Sequence, residues 1–172
     1  MTSPRVLLRT EFGNITLEIY LDKAPITAEN FLRYVKENRF LGAVFYRVVH
    51  MDNQPDNKIT IEVIQGGLKD DNHSQSLPFI PHETTVQTGI LHKDGVISMA
   101  RNEPGTASSE FFICVGDQPE LDFGGKRNPD GQGFAAFGKV TEGMDVVRKI
   151  QNQPEVEQYL EPVISIQEIR MR

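Results

Sequence analysis

The chain has 172 residues, 38% of them hydrophobic, which suits one domain with a core of its own. A net charge of −6 and a sequence pI near 5.2 argue against a phosphate-backbone partner, so no nucleic acid is expected. The single cysteine, Cys114, excludes an internal disulfide, and no run approaches the ~18 apolar residues of a membrane span, so no membrane partner is expected.

In chain order, Arg5 to Tyr20 predicts a hairpin. Val6, Leu8 and Thr10 alternate with Leu7 and Arg9, and Ile15, Leu17 and Ile19 alternate with Thr16, Glu18 and Tyr20. Gly13-Asn14 offers residues that tolerate positive φ in the turn. Pro25 ends the extended run, Thr27 suits an N-cap, and Ala28, Phe31, Leu32 and Val35 form a helical stripe reaching about Asn38. Phe40 to His50 returns to strand chemistry. Met51 to Ile59 is polar and turn-rich, a loop, and Ile59, Ile61, Val63 and Gln65 alternate as a further strand. Lys69 to Thr88 has little periodicity and reads as irregular. Val96–Met99 and Phe111–Val115 are short apolar strands either side of the turn-like Asn102-Glu103-Pro104-Gly105. A loop over Asp122–Gly133, a strand over Ala135–Val140, a helix over Gly143–Gln151 and a closing strand over Val163–Met171 complete the chain. About eight short strands and two helices, without βαβ alternation, predict an all-β fold. The expected form is a closed eight-stranded antiparallel barrel capped by two α-helices, one domain over residues 1–172.

Four short segments set polar residues into apolar strands: Phe45-Tyr46-Arg47, Gln65-Gly66-Gly67, Ser98-Met99-Ala100-Arg101 and Ser109-Glu110-Phe111-Phe112-Ile113. A guanidinium among apolar neighbours is costly unless it is paired or working on something. The pattern suggests a shallow apolar pocket with one cation at its edge. A proline in a peptide, a small apolar ring beside a polar amide, fits that description.

In order and over nearly the whole chain, from about Val6 to Ile169, these segments resemble the cyclophilins, the peptidyl-prolyl cis–trans isomerases. The family's Phe-His-Arg reads Phe-Tyr-Arg, Gln-Gly-Gly and Ser-Met-Ala are intact, and Ser-Gln-Phe-Phe-Ile reads Ser-Glu-Phe-Phe-Ile. Phe137-Gly138-Lys139-Val140 and Gly143-Met144-Asp145-Val146-Val147 match the closing strand and helix. The resemblance implies catalysis of rotation about X-Pro bonds, on proline-containing peptides and unfolded protein chains, with no cofactor and no metal. It implies Arg47 as the catalytic arginine and Gln65 as its orienting amide. Phe112 would floor the proline pocket and Leu121 would line it. Ala100, Arg101 and Asn102 would pair with the substrate main chain through their backbone.

The departures concern the rim. Glu62 and Val63 fall where the family has a Phe-Met pair, leaving Val63, with Ile61 beside it, to line the pocket. Glu110 replaces a rim glutamine and is expected to bring a carboxylate near Arg47. Glu120 stands in place of a tryptophan, and Phe134 in place of a site histidine. Residues 51–60 read as an insertion. These changes imply weak or no cyclosporin binding and motivate an alternative: a proline-peptide binding or chaperone-like module with little turnover. A monomer is expected. Met1-Thr2-Ser3-Pro4-Arg5 lacks the apolar stretch of a secretory signal, so the expected location is cytoplasmic, or periplasmic or secreted if a signal was removed.

Overall fold

A computed structural model describes residues 3–70 and 72–172. Its strands are β1 (Arg5–Thr10), β2 (Gly13–Ile19), β3 (Val44–Val49), β4 (Val63–Gly67), β5 (Val96–Met99), β6 (Phe111–Cys114), β7 (Ala135–Glu142), β8 (Glu155–Val156), β9 (Tyr159–Ser165) and β10 (Glu168–Met171). Helices α1 (Pro25–Lys36), the one-turn α2 (Thr85–Thr88) and α3 (Met144–Gln151) accompany them. All pairings are antiparallel, in the order β10-β1-β2-β7-β5-β6-β4-β3-β9-β8.

The sheet differs from the expected closed eight-stranded barrel: it has ten strands, and its ladder ends at β8 and β10. The expected closing strand breaks in two. After pairing with β3 as β9, the chain passes through Ile166, whose N–H donates to Ala43 O at 3.0 Å. Gln167 N–H then donates to Arg9 O at 2.8 Å, and β10 continues against β1. One segment thus serves both sides of the sheet. The third helix, α2, lies in the stretch read as irregular, where a Thr84–Gln87 capping box stabilises a single turn.

Local chemistry shifts two boundaries. The first turn is Glu11-Phe12, not Gly13-Asn14, because Thr10 and Gly13 already pair and Thr10 Oγ1 donates to Gly13 O at 2.9 Å. Gly13, at φ 128°, serves close packing instead: a Cβ there would lie 2.9 Å from Val146 Cγ2 on α3. Helix α1 begins at Pro25, which needs no amide donor in the first turn. Thr27 lies inside the helix. The buried Glu83 carboxylate caps this end from a distant loop, accepting from Thr27 N at 2.7 Å, Thr27 Oγ1 at 2.6 Å and Ile26 N at 3.3 Å.

The expected stripe of α1 is buried throughout, and Phe31 meets Phe111 edge-on at 5.7 Å and Phe137 at 5.1 Å. This main core joins side chains of α1, α3 and most of the strands. A second, smaller cluster of Val49, Ile61, Val63, Phe112, Cys114 and Leu121 lies apart from it, with Ala100 and Phe134 packed on its edge. Cys114 is fully buried, and burial pushes its thiol pKa up.

Candidate active site

Strand register assembles the site. Arg47 pairs with Gln65, Gln65 with Phe112, and Phe112 with Ser98, so one row crosses β3, β4, β6 and β5. Side chains in such a row share a face. A bulge in β3 sets Tyr46 and Arg47 against the single residue Gln65. As a result both reach the Gln65 side chain: Arg47 Nη1 donates to its Oε1 at 2.9 Å, and its Nε2 donates to Tyr46 Oη at 3.0 Å.

Arg47 has a second anchor that the sequence did not reveal. Its Nε and Nη2 donate to Gln158 Oε1 at 3.1 and 2.7 Å, and Gln158 Nε2 donates to Asn53 O at 2.9 Å. Gln158 reaches inward from the two-residue turn between β8 and β9. Burial pulls the pKa of Arg47 down, and its hydrogen-bond acceptors are neutral amides, so its charge is held in place without being cancelled.

Glu110 lines a hollow together with Arg47. Its carboxylate makes no hydrogen bond to Arg47; it accepts from Tyr46 Oη at 2.8 Å, Ser109 Oγ at 2.6 Å, Leu68 N at 3.0 Å and Lys69 N at 2.8 Å. It also fills the space beside Gly67, where a Cβ would lie 2.5 Å from Glu110 Oε2. Burial, then the Glu110 charge, raises the Tyr46 phenol pKa, so the hydroxyl stays protonated. A carboxylate only accepts, so Tyr46 donates to it and accepts from Gln65. The Gln65 carbonyl oxygen is thereby turned toward Arg47.

Phe112 floors a hollow of ≈ 340 Å³ bordered by Ile61, Val63, Leu121 and Phe134 on its apolar side, and by Arg47, Gln65, Ala100, Arg101 and Asn102 on the other. All of these residues were named from the sequence. Phe134 meets Phe112 edge-on at 5.4 Å, and His92 stacks at 6.0 Å with 13° between the rings. His92 is clamped from both sides, with Nδ1 2.7 Å from Asp122 Oδ1 and Nε2 2.9 Å from Ser98 Oγ. Glu110 borders a second hollow, of ≈ 630 Å³, which shares Arg47, Gln65 and Ala100–Asn102 with the first.

Arg101 contributes more than backbone. Its side chain donates to Gly133 O at 2.6 and 3.0 Å and to Asp130 at 3.0 and 3.1 Å, and lies 4.8 Å over the Phe134 ring. The 51–60 loop closes around buried Gln54, which bonds Ile61 N at 3.0 Å, Ile61 O at 2.7 Å and His50 O at 2.9 Å. Arg127, from the 122–133 loop, ties the two loops together through Ile59 O at 2.6 Å.

Fold and site define a class: an antiparallel β-domain presenting an apolar hollow with a fixed cation at its lip. Residues 5–171 match the cyclophilin type peptidyl-prolyl cis-trans isomerase/CLD family. The chain is 38% identical over 155 residues to a peptidyl-prolyl cis-trans isomerase of Acinetobacter baylyi, covering 90% of this chain and 75% of that protein. It is 33% identical over 147 residues to peptidyl-prolyl cis-trans isomerase B of Escherichia coli, covering 85% and 83%. A cyclophilin type isomerase of Cryptosporidium parvum, solved in the presence of the dipeptide Ala-Pro, shares the fold at a TM-score of 0.76 over 98% of both chains, with 20% identity. The chain belongs to the cyclophilin-type peptidyl-prolyl cis–trans isomerases.

Proposed function

We propose that this isomerase, which assists protein folding, turns X-Pro bonds with the proline ring on Phe112 and the Arg47 guanidinium against the imide nitrogen. Conjugation sets a rotation barrier of ~18–20 kcal/mol, and uncatalysed exchange takes tens to hundreds of seconds. No bond between heavy atoms is made or broken. Catalysis requires only that the twisted imide be bound more tightly than either planar form. Twisting removes conjugation and makes the nitrogen an acceptor. A donor fixed at that nitrogen therefore acts on the twisted state, and each ~1.4 kcal/mol of such preference gives about tenfold in rate.

The observation carrying this reading is Arg47, held by Gln65 and Gln158 in the same row as the Phe112 floor. Ile61, Val63, Leu121 and Phe134 grip the ring, the Ala100–Asn102 backbone pairs with the substrate main chain, and Glu110 acts from the second hollow. The protein works as a monomer, with the 51–60 insertion flanking the lip and cyclosporin-type macrocycles binding weakly because Glu120 replaces an aromatic wall. Isomerisation of a short Ala-Pro peptide, measured by NMR exchange, tests the mechanism. Arg47→Ala is expected to lower kcat/KM by about 10²- to 10³-fold, as for loss of one preorganised donor. Peptide binding without turnover, unaffected by the substitution, would instead identify a binding module.

A further inference from the structure

Two guanidinium groups border the proline hollow without a carboxylate partner among the described residues. One is Arg47. The other is Arg127, whose Nη1 donates to Ile59 O at 2.6 Å and Gln54 Oε1 at 3.1 Å. Arg127 Nε and Nη2 make no hydrogen bond among the described residues and are not sealed from solvent. The third guanidinium at this hollow, Arg101, is by contrast paired with Asp130 at 3.0 Å. Among the described residues no aspartate or glutamate borders the hollow, although the chain as a whole carries −6. Burial lowers the pKa of Arg127, and the charge of Arg47 lowers it further, so the two cations feel one another. Like charges left uncancelled in a partly dry hollow are unfavourable until an anion enters.

The layout says where the anion belongs. Arg47, Gln65 and Ala100–Asn102 form a lip shared by both hollows, whereas Arg127 borders the proline hollow alone. With the ring on Phe112 and the imide at Arg47, the lip gives the residue before proline a path into the second hollow, which carries Asp70 and Glu110. That path leaves the Arg127 side of the proline hollow to the residue after proline.

We infer that Arg127 is a specificity residue that selects substrates carrying a carboxylate on the C-terminal side of proline, taken by its free Nε–Nη2 edge. The carboxylate is either that of a C-terminal proline or the side chain of an acidic residue next in the chain. The inference rests on the isomerase reading above.

The test compares Ala-Ala-Pro-Glu-Ala with Ala-Ala-Pro-Gln-Ala, and Ala-Ala-Pro with a free or amidated C-terminus, by NMR exchange. Wild type is expected to favour the carboxylate form in at least one pair by about tenfold in kcat/KM, shrinking near 1 M salt, where the screening length is about 3 Å. The pair showing the larger ratio identifies the source. Arg127→Gln is expected to abolish the preference, bringing the two members of each pair to the same kcat/KM. Gln54→Ala, which loosens the same loop but keeps the charge, is expected to retain it. Equal rates within both pairs in wild type, or a preference surviving Arg127→Gln, overturns the inference. If no peptide is turned over, the isomerase reading fails, and chemical-shift titrations with the same peptides decide the carboxylate preference by affinity.

Discussion

Replacing Gln158 with glycine is expected to separate activity from stability. Glu157 and Gln158 form the two-residue turn between paired Val156 and Tyr159, at φ 51° and 78°. Such turns favour glycine, and a side chain in left-handed conformation costs about 1–2 kcal/mol. Gln158→Gly relieves that strain. It also removes the hydrogen bonds to Arg47 and the one to Asn53 O, each worth about 1 kcal/mol net. The loss exceeds the relief by only about 1–2 kcal/mol, so the Tm is expected to fall by no more than about 2–8 °C. Activity is not protected in the same way. Arg47 keeps only its Gln65 bond, and losing ~1.4 kcal/mol of orienting energy lowers the competent population, and kcat/KM, by about tenfold. Calorimetry and NMR exchange on an Ala-Pro peptide read the two quantities independently. Unchanged kcat/KM in a folded variant would refute Gln158 as a positioning residue. A large fall in Tm would refute the strained turn.

Two further outcomes rest on the polar contacts. Glu110→Ala deprives Tyr46, Ser109 and the Leu68 and Lys69 amides of an acceptor, so stability should fall by about 2–4 kcal/mol and the Tm by roughly 5–15 °C, measured by thermal melting. Asp130 gives a pH dependence: its hydrogen bonds from Arg101 hold its carboxyl below the ordinary value of 3.8. A lowered folded-state pKa contributes stability that is present above the unfolded value and lost as pH falls through the folded one. The Arg101–Phe134 wall should therefore loosen below about pH 4, visible in Phe134 ring resonances, and Asp130→Asn should remove that dependence.

The elements whose local and long-range preferences agree were legible. The α1 stripe of Ala28, Phe31, Leu32 and Val35 is buried as its periodicity requires, and β5 spans Val96–Met99 as read. Boundaries failed where a distant group intervened. Thr27 has an N-cap's chemistry, yet Pro25 starts the helix and Glu83, 56 residues away, satisfies it. The closing strand was read as one because its alternation is continuous, but it changes partner at Ile166-Gln167. Its break depends on where β3 and β1 lie.

Within the site, sequence alone was enough to name the hollow's greasy wall and its principal arginine, because the short motifs that resemble those of the cyclophilins carry these residues in order. The holding of that arginine was decided by tertiary structure. Gln158 lies 111 residues from Arg47, and Glu110 turns toward Tyr46 and two backbone amides rather than toward the guanidinium. Hydrogen bonds depend on direction over a few ångströms, and strand register, a bulge and a strained turn set those directions between residues whose separation along the chain carries no trace of them.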